Sequence, residues 1–374
     1  MLKIAYHPIY KYQLPPGHRF PMEKYELLPQ QLLHEGTCRP ENFFEPGILS
    51  EEEILAVHTK EYFENLMNLT LDKSAVRKIG FPLSETLVKR GRVISQGTID
   101  GCEYALKYGV GMNIAGGTHH AYAGHGEGFC LLNDQAIAAK YLLKKYKHDG
   151  QIASQARNCV VKKILIVDLD VHQGNGTAKI FEKEEKVFTF SIHGAGNYPF
   201  KKEKSDLDIP VPDGTGDEIY LQKLKETLPK LIEAQNPDFI FYLAGVDILE
   251  TDKLGRLNCT VEGCKARDRF VLQLCKDLKI PVQVSMGGGY SPEIKIIIEA
   301  HANTFRMAQE IFFWIMGKKK KDNKKKKGLK KECCEKYLKK GEHKRCKRCP
   351  CFDMTEEQRL QRFENLEIKP NSKN

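Results

Sequence analysis

The chain has 374 residues, of which 41% are hydrophobic, enough for one large domain with an appendage or for two domains. The formal charge of +10 would suggest a nucleic-acid-binding protein, but residues 317–374 contain 21 Lys and Arg against 9 Asp and Glu. The first 316 residues carry 38 basic and 40 acidic groups, a net charge of −2, which excludes a generally basic body.

The predicted elements of the body alternate between short apolar strands and amphipathic helices. The predicted strands are 112–116, 163–170, 187–193, 239–245 and 281–287. The predicted helices are 134–146, opened by Asn133 and Asp134 as a capping pair, 217–235, 262–279 and 292–316, with an extra loop at 147–161. Strands that are apolar throughout and are separated by helices indicate a parallel sheet that is buried on both faces.

Polar side chains stand at the end of each predicted strand or shortly after it. They are, in order, His119 and His120; Asp168, Asp170 and His172; Ser191 and His193; Asp247; and Tyr290 after "GGG". Ligands of open α/β sheets bind outside the carboxyl ends of the strands. The pattern therefore predicts a site along this edge of the sheet.

Acidic and imidazole groups at this edge suggest a metal site. Side chains two residues apart in a strand point to the same side, so Asp168, Asp170 and His172 could lie in a row. With Asp247 as a third ligand, one coordination position would stay open, which is the catalytic pattern for zinc. Taken singly, each feature also fits a strand-end cap, a packed histidine or a simple turn.

Five motifs together resemble a known family. "GGTHHA" (116–121), "GEGFCLLND" (126–134), "DLDVHQGNGT" (168–177), "LAGVDILETDKLG" (243–255) and "MGGGYS" (286–291) occur in the order found in zinc-dependent histone deacetylases. The third and fourth look most like the class IV branch, which is similar to histone deacetylase 11, and like its bacterial relatives. The resemblance covers residues 1–316 and implies the three-layer arginase/deacetylase fold, with a mostly parallel sheet of about eight strands between helices.

The resemblance implies a role for each motif residue. Asp170, His172 and Asp247 would bind the catalytic Zn²⁺, although the same mixed ligand set can also bind Fe²⁺. His120 would be the general base for the attacking water, His119 its electrostatic partner oriented by Asp168, and Tyr290 the donor to the oxyanion. Gly128, Phe129 and Gly288 would line the substrate site. A K⁺ ion would lie near Asp168, Asp170, His172 and Ser191.

One position departs from the pattern of many members. Asn175 stands behind His120, where many of them have Asp. A neutral amide can orient an imidazole but stabilises its cation less than a carboxylate does. We therefore expect a lower pKa for His120 than Asp would confer at that position.

The resemblance predicts a hydrolase that removes acetyl or longer acyl groups from lysine side chains in proteins. A two-manganese ureohydrolase of the arginase type would need a carboxylate two residues after His172, where this chain has Gly174. Hydrolysis of acetylpolyamines or other small amides uses the same catalytic residues and stays open. So does a non-hydrolytic module that binds acylated amines while a basic tail contacts nucleic acid.

The tail divides into three predicted segments. Residues 317–331 form a Lys-rich linker that could hold nucleic acid nonspecifically, and residues 355–374 a short helix or disordered end. Between them, 332–354 contains Cys333, Cys334, His343, Cys346, Cys349 and Cys351, which form either a small structural zinc site or unliganded thiols.

Cysteine usage and the ends of the chain bear on localisation. Seven cysteines scattered through the body suit reduced, buried thiols. The N-terminus lacks an apolar core for a signal peptide, and 292–316 carries too many charges for a membrane span. We expect a soluble protein of a bacterial-type cytoplasm; in a eukaryotic cell the lysine run could direct it to the nucleus.

Overall fold

Eight strands form one parallel sheet in the computed structural model, which describes residues 1–147 and 160–313. The strands are β1 (Ile4–Ala5), β2 (Phe43–Phe44), β3 (Val110–Asn113), β4 (Ile164–Asp168), β5 (Val187–Gly194), β6 (Leu207–Val211), β7 (Phe239–Leu243) and β8 (Val282–Ser285). Their order is β2-β1-β3-β8-β7-β4-β5-β6, and every neighbouring pair is parallel.

Ten α-helices surround the sheet in the part of the chain that is described. They are α1 (Lys24–His34), α2 (Glu51–Leu55), α3 (Lys60–Met67), α4 (Lys73–Ile79), α5 (Glu85–Tyr108), α6 (Asp134–Lys145), α7 (Asn175–Phe181), α8 (Asp217–Gln235), α9 (Val261–Leu278) and α10 (Ile294–Phe313). Short 3₁₀ turns cover Pro8–Tyr10 and Pro40–Asn42. The predicted fold class is confirmed, and the sheet is parallel throughout.

Different helices cover the two faces of the sheet. Phe241 of β7 pairs in register with Gln283 of β8, so both side chains lie on one face. A Cβ at Gly101 of α5 would lie 3.4 Å from Gln283, which places α5 over that face. Tyr242 points to the other face and donates its hydroxyl to Asp268 of α9. The sheet therefore lies between two helical layers.

The start of α6 ties the first polar loop to the core. Asn133 caps the helix by accepting from the N–H of Ala136 at 3.1 Å, as the sequence predicts. The buried carboxylate of Asp134 has another role, because it accepts hydrogen bonds from the N–H groups of Gly117 and Thr118. It therefore holds the loop that leads directly to the histidine pair.

A buried arginine braces the two loops that follow β4 and β7. Arg267 of α9 is fully buried, and its Nη1 donates to the carbonyls of Leu169 at 3.1 Å and Gly245 at 2.6 Å. Its Nε donates to Asp268 at 2.9 Å. Since burial of an unpaired charge is costly, the ion pair and the two carbonyls hold one another in place.

Replacing Arg267 by methionine is expected to lower the free energy of unfolding by about 3–5 kcal/mol, because the carboxylate of Asp268 would stay buried without its cation. Chemical denaturation monitored by circular dichroism measures this. Arg269→Met is the matched control, since Arg269 lies on the same helix in an exposed pair with Glu310. The control should change stability by less than about 1 kcal/mol. Equal stability of the two variants would contradict the bracing role.

Several sequence-based expectations concern the rest of the chain or its surroundings. Most of the loop at 147–161, residues 314–316 of the last helix, and the whole tail with Cys333, Cys334, His343, Cys346, Cys349 and Cys351 lie outside the described residues. The domain boundaries stay predictions. Within the described part, all six cysteines are free and buried, as expected. No described helix has the length and apolar character needed to cross a bilayer.

Candidate metal centre and active site

Three buried side chains meet where β4, β7 and β8 end. The ligand atoms of Asp170, His172 and Asp247 all lie within 4.8 Å of one another. The His172 Nδ1 atom is 3.0 Å from Asp170 Oδ1 and 3.1 Å from Asp247 Oδ2. The structure thus brings together the three residues that the family resemblance implies as metal ligands.

Backbone N–H groups orient the two carboxylates. Asp170 Oδ2 accepts from Gly288 N at 2.9 Å, and Asp247 Oδ1 accepts from Val171 N at 3.0 Å. The space beside them is filled so closely that a Cβ at Gly288 would lie 2.0 Å from Asp247 Oδ2. Gly288 therefore contributes a backbone donor and close approach, which no other residue type would permit.

The expected row of Asp168, Asp170 and His172 along one strand face is wrong. Strand β4 ends at Asp168, and the chain then turns. Asp170 N bonds back to Asp168 Oδ1 at 3.1 Å, and His172 N to Asp170 Oδ1 at 3.0 Å. These side-chain acceptors stabilise a local turn. It turns Asp168 toward the histidine pair and leaves Asp170 and His172 facing Asp247.

The electrostatics of the three residues fit a divalent cation. Burial, and then the charge of Asp170, raises the pKa of Asp247 to about 7. Burial lowers the pKa of His172, but its hydrogen bonds to Asp170 and Asp247 outweigh this and raise it to about 10. Two buried carboxylates on either side of one imidazole favour a positive charge between them. A metal would supply that charge, and its binding would release protons.

Two histidines stand beside the metal ligands, and each has its own partner. His119 Nδ1 lies 2.7 Å from Asp168 Oδ2, and His120 Nδ1 lies 2.6 Å from Asn175 Oδ1. Burial lowers the pKa of His119, but the Asp168 carboxylate outweighs this and raises it above the ordinary value. The pKa of His120 lies well below 6.5, mainly because the ring is buried and also because of the charges of His119 and His172. The pair thus favours one charged and one neutral ring.

Two further residues that sequence reasoning missed lie behind His120. Glu127 Oε1 accepts from Asn175 Nδ2 at 2.5 Å and from the Tyr198 hydroxyl at 2.6 Å. The Tyr198 ring also packs edge-on against His120, with 5.1 Å between ring centroids. Glu127 stands inside the "GEGFC" motif, which offered a signal, whereas nothing in the sequence around Tyr198 indicated this contact.

An aromatic pocket leads to the ligands and is lined by both histidines, Asp170, His172 and Tyr290 among others. Phe129 and Phe20 both line it and pack edge to face against each other, with 5.1 Å between ring centroids. Phe20 was not foreseen. Gly128 has a φ of +56°, and a Cβ there would meet His120 Cδ2 at 2.6 Å. The positive φ and the contact both require glycine, which lets the Phe129 wall approach the histidine.

Tyr290 lines the same pocket as His120. Its ring centroid is 6.4 Å from that of His172, and its N–H donates to Asp252 Oδ2 at 2.6 Å. Burial, followed by the charges of Asp247 and Asp170, raises its pKa well above 10. The hydroxyl therefore stays protonated and can donate a hydrogen bond at any ordinary pH.

The K⁺ site implied by the resemblance stays a prediction. Asp168 and Ser191 are neighbours in register on β4 and β5. Ser191 Oγ lies 2.9 Å from His193 Nδ1. These contacts place Ser191 one strand away from the ligand loop that contains Asp170 and His172.

Comparison with known proteins identifies the family. A family model described as "Histone deacetylase domain" matches residues 18–305. The chain belongs to the histone deacetylase family. An uncharacterized protein of Picosynechococcus sp. is 41% identical over 309 residues, which cover 83% of this chain and 99% of that protein. The acetoin utilization protein AcuC of Staphylococcus aureus is 26% identical, covering 79% of this chain and 78% of AcuC.

A solved structure agrees with this assignment to the histone deacetylase family. The crystal structure of a histone deacetylase homologue complexed with SAHA has a TM-score of 0.68 and 25% identity, and the match covers 83% of each chain. The family resemblance inferred from the motifs is confirmed. Its narrower part, the class IV branch, stays a prediction.

Proposed function

We propose that the protein is a zinc-dependent hydrolase that removes acetyl or longer acyl groups from the side-chain amine of lysine in proteins. The observation that supports this most is the convergence of Asp247 with Asp170 and His172, two residues that line the same pocket as His120 and Tyr290. The family supports a deacetylase. The geometry supports the proposal because residues suited to act as metal ligands, base and oxyanion donor lie close together.

Zinc held by Asp170, His172 and Asp247 would polarise the amide carbonyl and acidify the attacking water. His120, neutral because of its low pKa, would accept the proton of this water and then give it to the departing lysine amine. Tyr290 would donate a hydrogen bond to the amide oxygen as its negative charge develops. The products are a carboxylate and a free amine.

The shape and polarity of the pocket favour a long, apolar side chain ending in an amide. The walls that Phe129 and Phe20 provide suit the four methylene groups of lysine. The polar residues of the lining include His119, His120 and the two ligands Asp170 and His172. An acyl-lysine would lay its aliphatic stem against these rings and present its amide to the ligands.

The proposal is tested with the full chain on peptides bearing acetyl-, trifluoroacetyl- and long-chain-acyl-lysine, alongside acetylpolyamines. We expect stoichiometric zinc by atomic emission and hydrolysis of at least one peptide. Asp247→Asn should lose both, while the matched Asp277→Asn on the exposed end of α9 should lose neither. Hydrolysis of acetylpolyamines without hydrolysis of any peptide would show that the substrate is a small amide and not a protein. Binding of these compounds without hydrolysis of any of them would contradict the proposed enzyme activity and favour an acyl-amine binding module.

The tail and the ion identity form part of the same proposal. Nonspecific nucleic-acid contact would arise from the Lys-rich linker at 317–331, because its positive charge is not balanced by acidic residues.

Fe²⁺ is the alternative to Zn²⁺ at the metal site, since both accept mixed nitrogen and oxygen ligands. Activity after chelation and reconstitution with each ion separately distinguishes them.

A further inference from the structure

We propose that Glu127 is a positioning residue that fixes the tautomer of His120 through the side-chain amide of Asn175. The catalytic consequence rests on the function proposed above, but the tautomer itself does not. The inference starts from a chain of three buried or half-buried groups, in which the Glu127 carboxylate, the Asn175 amide and the His120 ring are linked by two short hydrogen bonds.

The direction of each hydrogen bond follows from the carboxylate. Glu127 can only accept, so the Asn175 Nδ2 group, which lies 2.5 Å away, must face it as the donor. The carbonyl oxygen at the other end of the same amide then faces His120 Nδ1 at 2.6 Å. A carbonyl oxygen only accepts, so Nδ1 must carry the proton. In the neutral ring Nε2 is then the nitrogen left to take a proton in the pocket.

A second set of contacts keeps Glu127 in place and ionised. The Tyr198 hydroxyl donates to it at 2.6 Å, and the His125 ring lies 3.7 Å away. Burial raises the pKa of Glu127, but the contacts with His125, Tyr198 and Asn175 outweigh this and leave it below the ordinary value. Only 13% of its side chain is exposed, so water does not readily replace these partners.

The amide orientation would be lost if the carboxylate became neutral. Glutamine at position 127 can donate as well as accept, so the amide of Asn175 would be free to rotate by half a turn. In the rotated state its NH₂ group faces His120 Nδ1, which must then accept and transfer its proton to Nε2. Such a ring cannot serve as the base in the pocket.

These hydrogen bonds predict that the effect of a substitution at position 127 depends on the residue at position 175. Asn175→Asp alone would place two carboxylates in contact, so the chain would lose its donor. Glu127→Gln alone would remove the anchor of the amide. Combining both substitutions restores one carboxylate and one amide in exchanged order, with the new carboxylate accepting directly from His120. The double variant should therefore work better than either single variant.

The experiment combines spectroscopy with kinetics on the full chain. Long-range ¹H–¹⁵N correlation spectra of ¹⁵N-histidine-labelled protein report the tautomer of each ring, and His120→Ala identifies the relevant signal. We expect the Nδ1–H form in the wild type and a substantial Nε2–H population in Glu127→Gln. On an acetyl-lysine peptide, each single variant should lose about 10- to 100-fold in kcat, and the double variant should regain most of this.

Controls separate positioning from folding and from the function itself. Glu103→Gln is the matched control, because Glu103 of α5 also accepts from a tyrosine hydroxyl, that of Tyr146 at 2.7 Å, just after α6. It should keep the wild-type spectrum and rate. If Glu127→Gln unfolds, the double variant still tests whether the carboxylate and the amide can exchange positions. Wild-type tautomer and kcat in Glu127→Gln, or a double variant no better than both singles, would overturn the inference. An inactive wild type with the expected spectra would overturn only the proposed function.

Discussion

Replacing His120 by alanine is expected to lower kcat about 10²–10⁴-fold, the usual contribution of a general base. His120 is buried in the pocket with Nδ1 engaged by Asn175 Oδ1 at 2.6 Å, so its other nitrogen is set to take the proton of the attacking water. The substrate contacts lie elsewhere, so KM should change little. Steady-state kinetics on an acetyl-lysine peptide measures both constants.

The pH dependence of kcat/KM provides a second test of the role of His120. Burial, His119 and His172 lower the pKa of His120, so the ring stays neutral until the pH falls far below 6.5. A bound cation would push the pKa in the same direction. The acid limb of kcat/KM that reports this base should therefore lie below pH 6.5 in the wild type and be absent in His120→Ala. The matched control His34→Ala, exposed on α1, should behave as wild type. An unchanged kcat in His120→Ala would contradict the assignment.

Replacing Tyr290 by phenylalanine is expected to lower kcat about 10²–10³-fold, the usual cost of removing one donor to an oxyanion. Burial and the charges of Asp247 and Asp170 keep the phenol protonated, so the wild type always has this donor. The ring itself, packed 5.8 Å from Phe20, would remain, and the fold and metal content should not change. The variant is compared with wild type by kinetics, zinc content and thermal melting.

The control for this substitution is Tyr108→Phe, which removes a hydroxyl at the opposite edge of the sheet, directly before β3. It should leave kcat unchanged. If Tyr290→Phe instead raised KM alone, the hydroxyl would contribute to ground-state binding and not to the transition state. A loss of zinc together with activity would show that Tyr290 supports the metal site.

The strands that the sequence predicted correctly share one property. All five residues of β4 and of β7 are buried, so hydrophobicity by itself marks them. Strand β6 escaped prediction because it lies at the edge of the sheet, is partly exposed and contains Pro210. Helix α5 also went unpredicted, since glycines interrupt its pattern; Gly97 lets the helix approach Asn113 of β3 closely.

The sequence by itself determined the order of the motifs and the edge of the sheet on which they meet, because residues that follow parallel strands emerge on the same side. It also determined the family and the candidate ligands Asp170, His172 and Asp247. Only the tertiary structure decided which partner each acidic residue of the site contacts. The turn after β4 directs Asp168 to His119, and it brings Asn175 within 2.5 Å of Glu127, 48 residues earlier in the chain. Periodicity reports local burial, whereas contacts between distant loops depend on how the strand ends are packed, so no local pattern could reveal the carboxylate behind Asn175.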